Sequence, residues 1–280
     1  MKFGRNYFIQ IQTPEGDVLE IAPPFSAKID ITRNTLASTN TCNITLYNLK
    51  SSTRNRIYKD RYNIAEYWQI VVMAGYTRLE TIFQGNIYQS FSTKQNVDWI
   101  TTLECFDGLY GIQNGNIAET ISAGTSYRDL IPRVIKTMPN MVAGKIGKVG
   151  DLVTGDRGQV MIGQSTNALQ ELTDGNYFID KESVYCLQSD EVLSGSVLVL
   201  DSNQLFETPK RSDTFLECPI LFLPEATVGL ICELRSKEKV FDGQYKTIGF
   251  KHSVSILGNA AGEAMTTISL YAGATGLREV

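Results

Sequence analysis

The chain has 280 residues, 42% of them hydrophobic and 20% charged, with a formal net charge of −4. That balance supports a substantial buried core and excludes bulk disorder. A mildly acidic chain also argues against nonspecific DNA binding, and no apolar run reaches the roughly eighteen residues of a membrane-spanning helix.

The first hundred residues read as strand after strand. The N-terminal Met1 to Phe8 leads into no apolar secretory segment, so no export signal is expected. Tyr7 to Gln12 alternates in period two, Pro14 to Asp17 is a turn, and Val18 to Ile21 pairs back. Phe25, Ala27, Ile29 and Ile31 alternate with polar neighbours, as do Cys42, Ile44 and Leu46. That second strand ends in Tyr47-Asn48-Leu49, and Thr53 to Tyr58 follows as a short polar helix or turn. Trp68 to Ala74 is a continuous apolar run, Thr81 to Phe91 alternates around Gly85, and Val97 to Phe106 alternates until Asp107-Gly108. About seven short strands with frequent turns imply an antiparallel barrel or sandwich.

The middle of the chain changes character. Ser126 can cap a helix with Asp129 three residues on, and Leu130, Ile131, Val134, Ile135 and Met138 supply its apolar face. Pro132 either kinks that helix or sits in its first turn. Gly144 to Gly158 reads as a glycine-rich loop, and Ser165 to Thr173 as a second helix stopped by Gly175. Strand signal returns with a hairpin of Tyr177–Asp180 and Ser183–Leu187. It continues through 197–200, 215–222, 230–234, 245–257 and 265–271.

Cys42, Cys105, Cys186, Cys218 and Cys232 are odd in number and widely spaced in apolar contexts. They read as reduced, buried small hydrophobes in a chain that folds in a reducing cytoplasm. No Cys-x-x-Cys pair exists to suggest zinc.

The search for chemistry is mostly negative. One histidine, His252, lies in a strand-like segment beside Ser253 and Ser255, so a triad is formally possible. No Gly-x-Ser-x-Gly elbow accompanies it, and Gly163-Gln-Ser-Thr-Asn is not one. A hydrogen-bonded structural histidine is the expectation. Gly144, Gly147 and Gly150 recur with Lys145 and Lys148 between them, but match neither phosphate-binding pattern. Arg133, Lys136, Lys145 and Lys148 read as a solvated basic face, and the acid pair Asp190-Glu191 sits at a turn. No catalytic, cofactor-binding or metal-ligating residue is therefore assigned, and no cofactor is expected.

Three phrases carry a resemblance. Asn43-Ile-Thr-Leu-Tyr-Asn-Leu-Lys-Ser-Ser-Thr-Arg-Asn-Arg-Ile is followed by Val71-Val-Met-Ala-Gly-Tyr and Ile82-Phe-Gln-Gly-Asn-Ile. In that order they resemble the N-terminal barrel of phage baseplate hub proteins. Asn176-Tyr-Phe-Ile-Asp, Val184-Tyr-Cys-Leu and the turn at Leu193-Ser-Gly resemble the family's middle segment. Thr208-Pro-Lys-Arg-Ser-Asp, the stretch from Leu221 to Leu230, and Gly243 to Ser253 resemble its second barrel. The segment from Gly108 to Gly163 matches least.

The resemblance implies a mainly β fold with two tail-tube-like antiparallel β-barrel domains, at 1–110 and 181–280, around a small α/β insert at 111–180 with two helices. It implies a structural virion protein without catalysis. Three copies would form a ring of pseudo-sixfold symmetry, joining the hexameric tail tube to the trimeric central spike around a lumen for genome passage. The expected partners are further copies of itself as a homotrimer, the tail tube protein, the central spike protein, and wedge or tape-measure proteins of the baseplate. No specific nucleic-acid binding is expected. Its place would be the virion tail, after assembly in the host cytoplasm. The chain closes on Leu277-Arg-Glu-Val without a repetitive needle, so a separate spike is expected rather than a fused one. Related hubs of phage-derived injection systems and type VI secretion spikes fit the same phrases.

Two other classes compete. A tail-associated cell-wall hydrolase would show a glutamate acid in an apolar cleft or a metal cluster. A carbohydrate- or receptor-binding β module would show exposed aromatics, whereas Trp68 and Trp99 sit in strands and read as core.

Overall fold

The computed structural model describes residues 4–36, 39–63, 66–257, 262–273 and 276–280. The first part of the chain forms β1 (Asn6–Gln12), β2 (Val18–Ile21), β3 (Ala27–Asn34), β4 (Thr41–Tyr47), β5 (Trp68–Gly75), β6 (Leu79–Gln95) and β7 (Asp98–Phe106). Helix α1 (Ser51–Arg56) lies between β4 and β5. The middle holds α2 (Leu109–Asn114), β8 (Asn116–Ile121), α3 (Tyr127–Lys136), β9 (Val142–Ile146), β10 (Gln159–Gln164), α4 (Ser165–Thr173), β11 (Phe178–Asp180) and β12 (Ser183–Cys186). The last part contributes β13 (Glu191–Val192), β14 (Leu198–Asp201), β15 (Lys210–Ser212), β16 (Phe215–Leu221), β17 (Ile231–Arg235), β18 (Gly243–Ile256), β19 (Ala264–Tyr271) and β20 (Arg278–Glu279).

One 13-stranded sheet runs through both β-rich parts, in the order β15-β16-β19-β18-β3-β4-β7-β6-β5-β1-β2, with β17 on β18 and β14 on β17. Its link is the antiparallel β18–β3 ladder, from Gly249↔Asn34 to Ile256↔Ala27. Almost every ladder in it is antiparallel, and β14–β17 is parallel. Among the described residues no ladder closes a barrel, so the barrel expected for each half is instead an open, shared sheet.

The period-two sequence pattern sets the two faces of this sheet. In β3 the buried residues are Ala27, Ile29, Ile31 and Arg33, and in β4 they are Cys42, Ile44 and Leu46. The opposite face stays polar. Three hydrophobic clusters fill the interior. The first joins β1 to β7 with Phe222, Val254 and Ala264 from the far end of the chain. The second gathers α3, α4 and the middle strands, and the third belongs to the last part. Each fully buried Ile or Phe in them contributes roughly 1.5–3 kcal/mol. All five cysteines are buried, and burial raises their thiol pKa values. Cys42 and Cys105 face each other across β4–β7 as small apolar side chains.

The Tyr47-Asn48-Leu49 phrase is a strand terminator with a mechanism. Asn48 takes a left-handed conformation, φ 55°, which asparagine tolerates better than most residues. Its N–H donates to Trp99 O at 2.8 Å, its Oδ1 accepts from Trp99 N at 3.0 Å, and its Nδ2 donates to Asp98 Oδ1 at 2.8 Å. The chain reverses there, Leu49 enters the core, and α1 begins.

Two expectations change, one alternative is decided, and two elements appear that the sequence reading did not place. Trp99 is 37% exposed rather than core, because β7 begins beyond the edge of β4, and the Arg54 guanidinium covers its ring at 3.7 Å. Trp68 is buried, as expected. The glycine-rich stretch is not all loop: Val142–Ile146 is a strand paired in parallel with β12, and Lys148–Asp151 is a 3-10 turn. Pro132 lies inside α3 rather than in its first turn, and Ser126 caps the helix by accepting from Arg128 N at 3.2 Å. Helix α2 and the β8–β10 ribbon fall in stretches without a clear periodic signal.

Candidate assembly surfaces and a buried polar junction

The residues singled out for chemistry are structural. His252 is fully buried on β18, its Nδ1 2.8 Å from Thr266 Oγ1, its ring stacked near Phe250 and edge-on to Phe222. Burial, with the nearby charges of Arg33 and Lys181, lowers its pKa to about 3, so the ring is neutral at physiological pH. Strand alternation sends Ser253 to the other face, where it donates to Asp30 Oδ1 at 2.7 Å. The histidine and its neighbouring serines therefore never meet.

The glycines serve close packing. A Cβ at Gly147 would collide with the Glu191 carboxylate, and one at Gly144 would lie 2.7 Å from the Tyr185 ring. Glu191 is fully buried, and its oxygens accept from Lys148 N at 2.7 Å and Gln188 N at 2.8 Å. The backbone donors that a phosphate would need are thus turned to an internal carboxylate. Its neighbour Asp190 lies 3.5 Å from Lys148 Nζ. Of the basic cluster, Arg133 pairs with Glu119, and Lys136 and Lys145 are exposed. Among the described residues no three His, Cys, Asp or Glu side chains gather as a metal site. No helix is long and apolar enough to cross a membrane.

The chief polar feature is a junction that ties all three parts of the chain together. Arg33 of β3 is 1% exposed and forks onto Asp180 of β11, Nε to Oδ1 at 2.7 Å and Nη2 to Oδ2 at 2.6 Å. Its Nη1 donates to Ala226 O at 2.9 Å, ahead of β17. Beside it, Asp107 accepts from the backbone N–H of Lys181 at 2.7 Å and of Glu182 at 2.8 Å. These two residues form the tight turn between β11 and β12, both left-handed at φ 53° and 60°. Such a turn ordinarily favours Asn-Gly, so a Lys-Glu pair carries about 1–2 kcal/mol of strain per residue. The Asp107 carboxylate holds the strained turn in place. Asn40 completes the junction, donating to Ile179 O at 2.8 Å and accepting from Asn34 N at 2.9 Å. Burial and the Asp180 charge raise the Asp107 pKa to about 7.

Sequence reasoning passed over this junction. Its one legible signal is Arg33, which occupies the next inward position after Ala27, Ile29 and Ile31. A guanidinium on an apolar stripe demands a buried partner.

Three surfaces remain open. The polar face of the sheet crosses β19, β18, β3, β4 and β7 in rows such as Thr267–Lys251–Thr32–Thr41 and Ser255–Lys28–Thr45–Thr102. Lys28 and Asp30 pair on it at 3.2 Å. A groove of about 680 Å³ is lined by Thr32, Lys251, Thr267, Phe215, Tyr271 and Ile248. The β8–β10 ribbon exposes Val160 and Ile162, at 64% and 76%, on a strand that pairs among the described residues with β8 alone. An exposed apolar edge is a site for protein contact.

Known proteins share this architecture. A 43 kDa tail protein of prophage MuSo2 from Shewanella oneidensis superposes with a TM-score of 0.62 at 10% identity, covering 94% of this chain and 96% of that one. A tail protein of Neisseria meningitidis MC58 gives 0.58 at 11% identity, with 96% and 97% covered. The E. coli c3393 protein, a type VI secretion component described as similar to the T4 tail proteins gp27 and gp5, gives 0.57 at 8% identity, with 94% and 77% covered. At such identities the likeness establishes the fold. No curated protein sequence matches the chain. The family model described as Baseplate hub gp41 matches residues 9–254, nearly the whole sheet and every segment of the polar junction, and the chain belongs to that baseplate hub family.

Proposed function

We propose that this chain is the structural hub of a phage tail baseplate. Three copies form a ring of six similar β units, which joins the hexameric tail tube to the trimeric central spike and leaves a lumen for genome passage. In this reading residues 1–110 and 181–280 are the two tube-like units and 111–180 a small insert between them. The observation that carries it is the β18–β3 ladder, which joins the two β-rich halves into one sheet. A chain that holds two such units rigidly side by side lets threefold symmetry meet sixfold symmetry. The Arg33–Asp180 junction supports the same rigidity.

The polar face of the shared sheet lines the lumen. Its hydroxyl and amide side chains, with Lys28 neutralised by Asp30, offer DNA phosphate few cations to bind. No reaction is assigned. His252 is neutral and enclosed, and the chain acts through its interfaces with the tube, the spike and neighbouring wedge or tape-measure proteins. The test is the native mass by light scattering, alone and with the neighbouring tail proteins. A trimer, or three copies per assembly, is the expected result. A monomer that joins no tail component overturns the proposal.

A further inference from the structure

The stretch from Lys50 to Tyr62 runs against the charge of the rest of the chain. It holds five cations, Lys50, Arg54, Arg56, Lys59 and Arg61, and one carboxylate, Asp60, in a protein of net charge −4. Its side chains alternate in role. Ile57 and Lys59 point inward, at 0% and 7% exposure. The Lys59 backbone exchanges two 2.9 Å hydrogen bonds with Ser90, and its ammonium donates to Asn63 O at 3.2 Å and Tyr88 O at 3.1 Å. The segment is thereby fastened to β6.

What it presents outward is the opposite kind of surface. Tyr58 and Tyr62 are 58% and 76% exposed, among the most exposed aromatic side chains of the molecule. The Arg61 guanidinium lies 4.8 Å from the Tyr62 ring centre and donates to its hydroxyl at 2.6 Å, which holds both side chains in one orientation. Arginine and tyrosine dominate the energetics of protein interfaces, and a pre-ordered pair loses little entropy on binding.

We propose that this edge, Arg56 to Tyr62 together with Lys50, docks the acidic contact face of a neighbouring protein in the assembled tail. The inference rests on the hub reading above and adds the surface and the chemistry of its partner. A protein suits the edge better than DNA does. Asp60 and the Asp17–Arg56 pair at 3.0 Å break the edge into separate cations rather than the unbroken strip a phosphate backbone follows, and the exposed Tyr58 and Tyr62 suit the mixed apolar and acidic surface of a protein.

The test uses tails assembled from the full set of tail proteins. Carbodiimide couples amines directly to touching carboxylates, so Lys50 is expected to cross-link to an Asp or Glu of another polypeptide. Nitration of Tyr58 and Tyr62 is expected to fall on assembly. The double variant Arg56→Glu, Arg61→Glu should keep its thermal midpoint and enter tails with affinity reduced about tenfold or more. Equal incorporation of that variant, with Lys50 unlinked and the tyrosines still nitrated, overturns the proposal. So does a duplex oligonucleotide that binds through the same arginines while no protein cross-link forms. If the wild-type chain is missing from tails, the hub reading itself fails, which is a different result from a wild type and variant that assemble alike.

Discussion

Arg33 and Asp180 stand 147 residues apart in the chain and meet as a buried, two-pronged ion pair at 2.6 and 2.7 Å. Arg33 sits on the strand that the last part of the sheet pairs with, and Asp180 sits on the hairpin of the middle part. Removing one partner leaves the other charge buried and alone, a loss of about 3–5 kcal/mol. Arg33→Met and Asp180→Leu should each lower the unfolding free energy from urea titration by that order. The double variant should lose clearly less than their sum. Additive losses would show that the pair is not the coupling element.

Two buried groups give opposing pH responses. Asp107 has a folded pKa of about 7, above the ordinary 3.8, because burial and the Asp180 charge disfavour its ionised form. The folded state therefore takes up its proton first, and stability rises as pH falls from about 7 toward about 4. Glu182, raised by burial, acts in the same direction. His252 is lowered to about 3 from 6.5, so the unfolded chain binds that proton first and stability falls as pH drops below about 6.5. Asp107 and His252 nearly offset each other between about pH 4 and 6.5, and Glu182 leaves the wild type with a shallow net gain as pH falls. Thermal midpoints of Asp107→Asn should fall with acidification, and those of His252→Phe should rise. Parallel curves for all three proteins would refute the assignment.

Asn48 turns the chain out of β4 through both its conformation and its side-chain bonds. Asn48→Ala meets the left-handed penalty and loses the bonds to Asp98 and Trp99, about 1–3 kcal/mol together. Asn48→Gly keeps the conformation and should cost less. Urea unfolding of the two variants separates the terms, and an equal loss would assign the effect to hydrogen bonding alone.

Gly147 permits the Glu191 carboxylate to lie against the backbone. Gly147→Ala should destabilise by roughly 1–3 kcal/mol through overpacking, and Glu191→Ala in the same chain should recover part of it. Calorimetry of the single and double variants checks this. No recovery in the double variant would mean that the glycine is needed for another reason.

Much of the β architecture was legible because one face of each strand is buried. The alternations in 7–12, 25–32 and 42–47 became β1, β3 and β4, with Ile29 and Ile31 inward as anticipated and β3 running on to the unanticipated Arg33. Helices α3 and α4 were readable from their apolar spacing and from the Ser126 cap. The polar helix after Tyr47-Asn48-Leu49 is α1. Trp99 was misread because aromatic residues at a strand's start look like core, while burial depends on how far the neighbouring strand extends. The glycine-rich stretch was misread because glycines that admit a tyrosine ring or a carboxylate resemble glycines that make a loop.

By itself, the sequence determined the mainly β class, most strand positions, the helical middle and the membership signalled by three ordered phrases. These are local properties, written in periods of two and 3.6 residues and in turn chemistry. The tertiary structure alone decided that the two β-rich halves share one sheet, that Arg33 finds Asp180, and that Asp107 braces a turn far along the chain. Partners separated by scores of residues leave no local periodicity, because their pairing depends on where whole sheets pack. An inward-pointing arginine shows that a partner must exist, and only the fold shows which carboxylate it is.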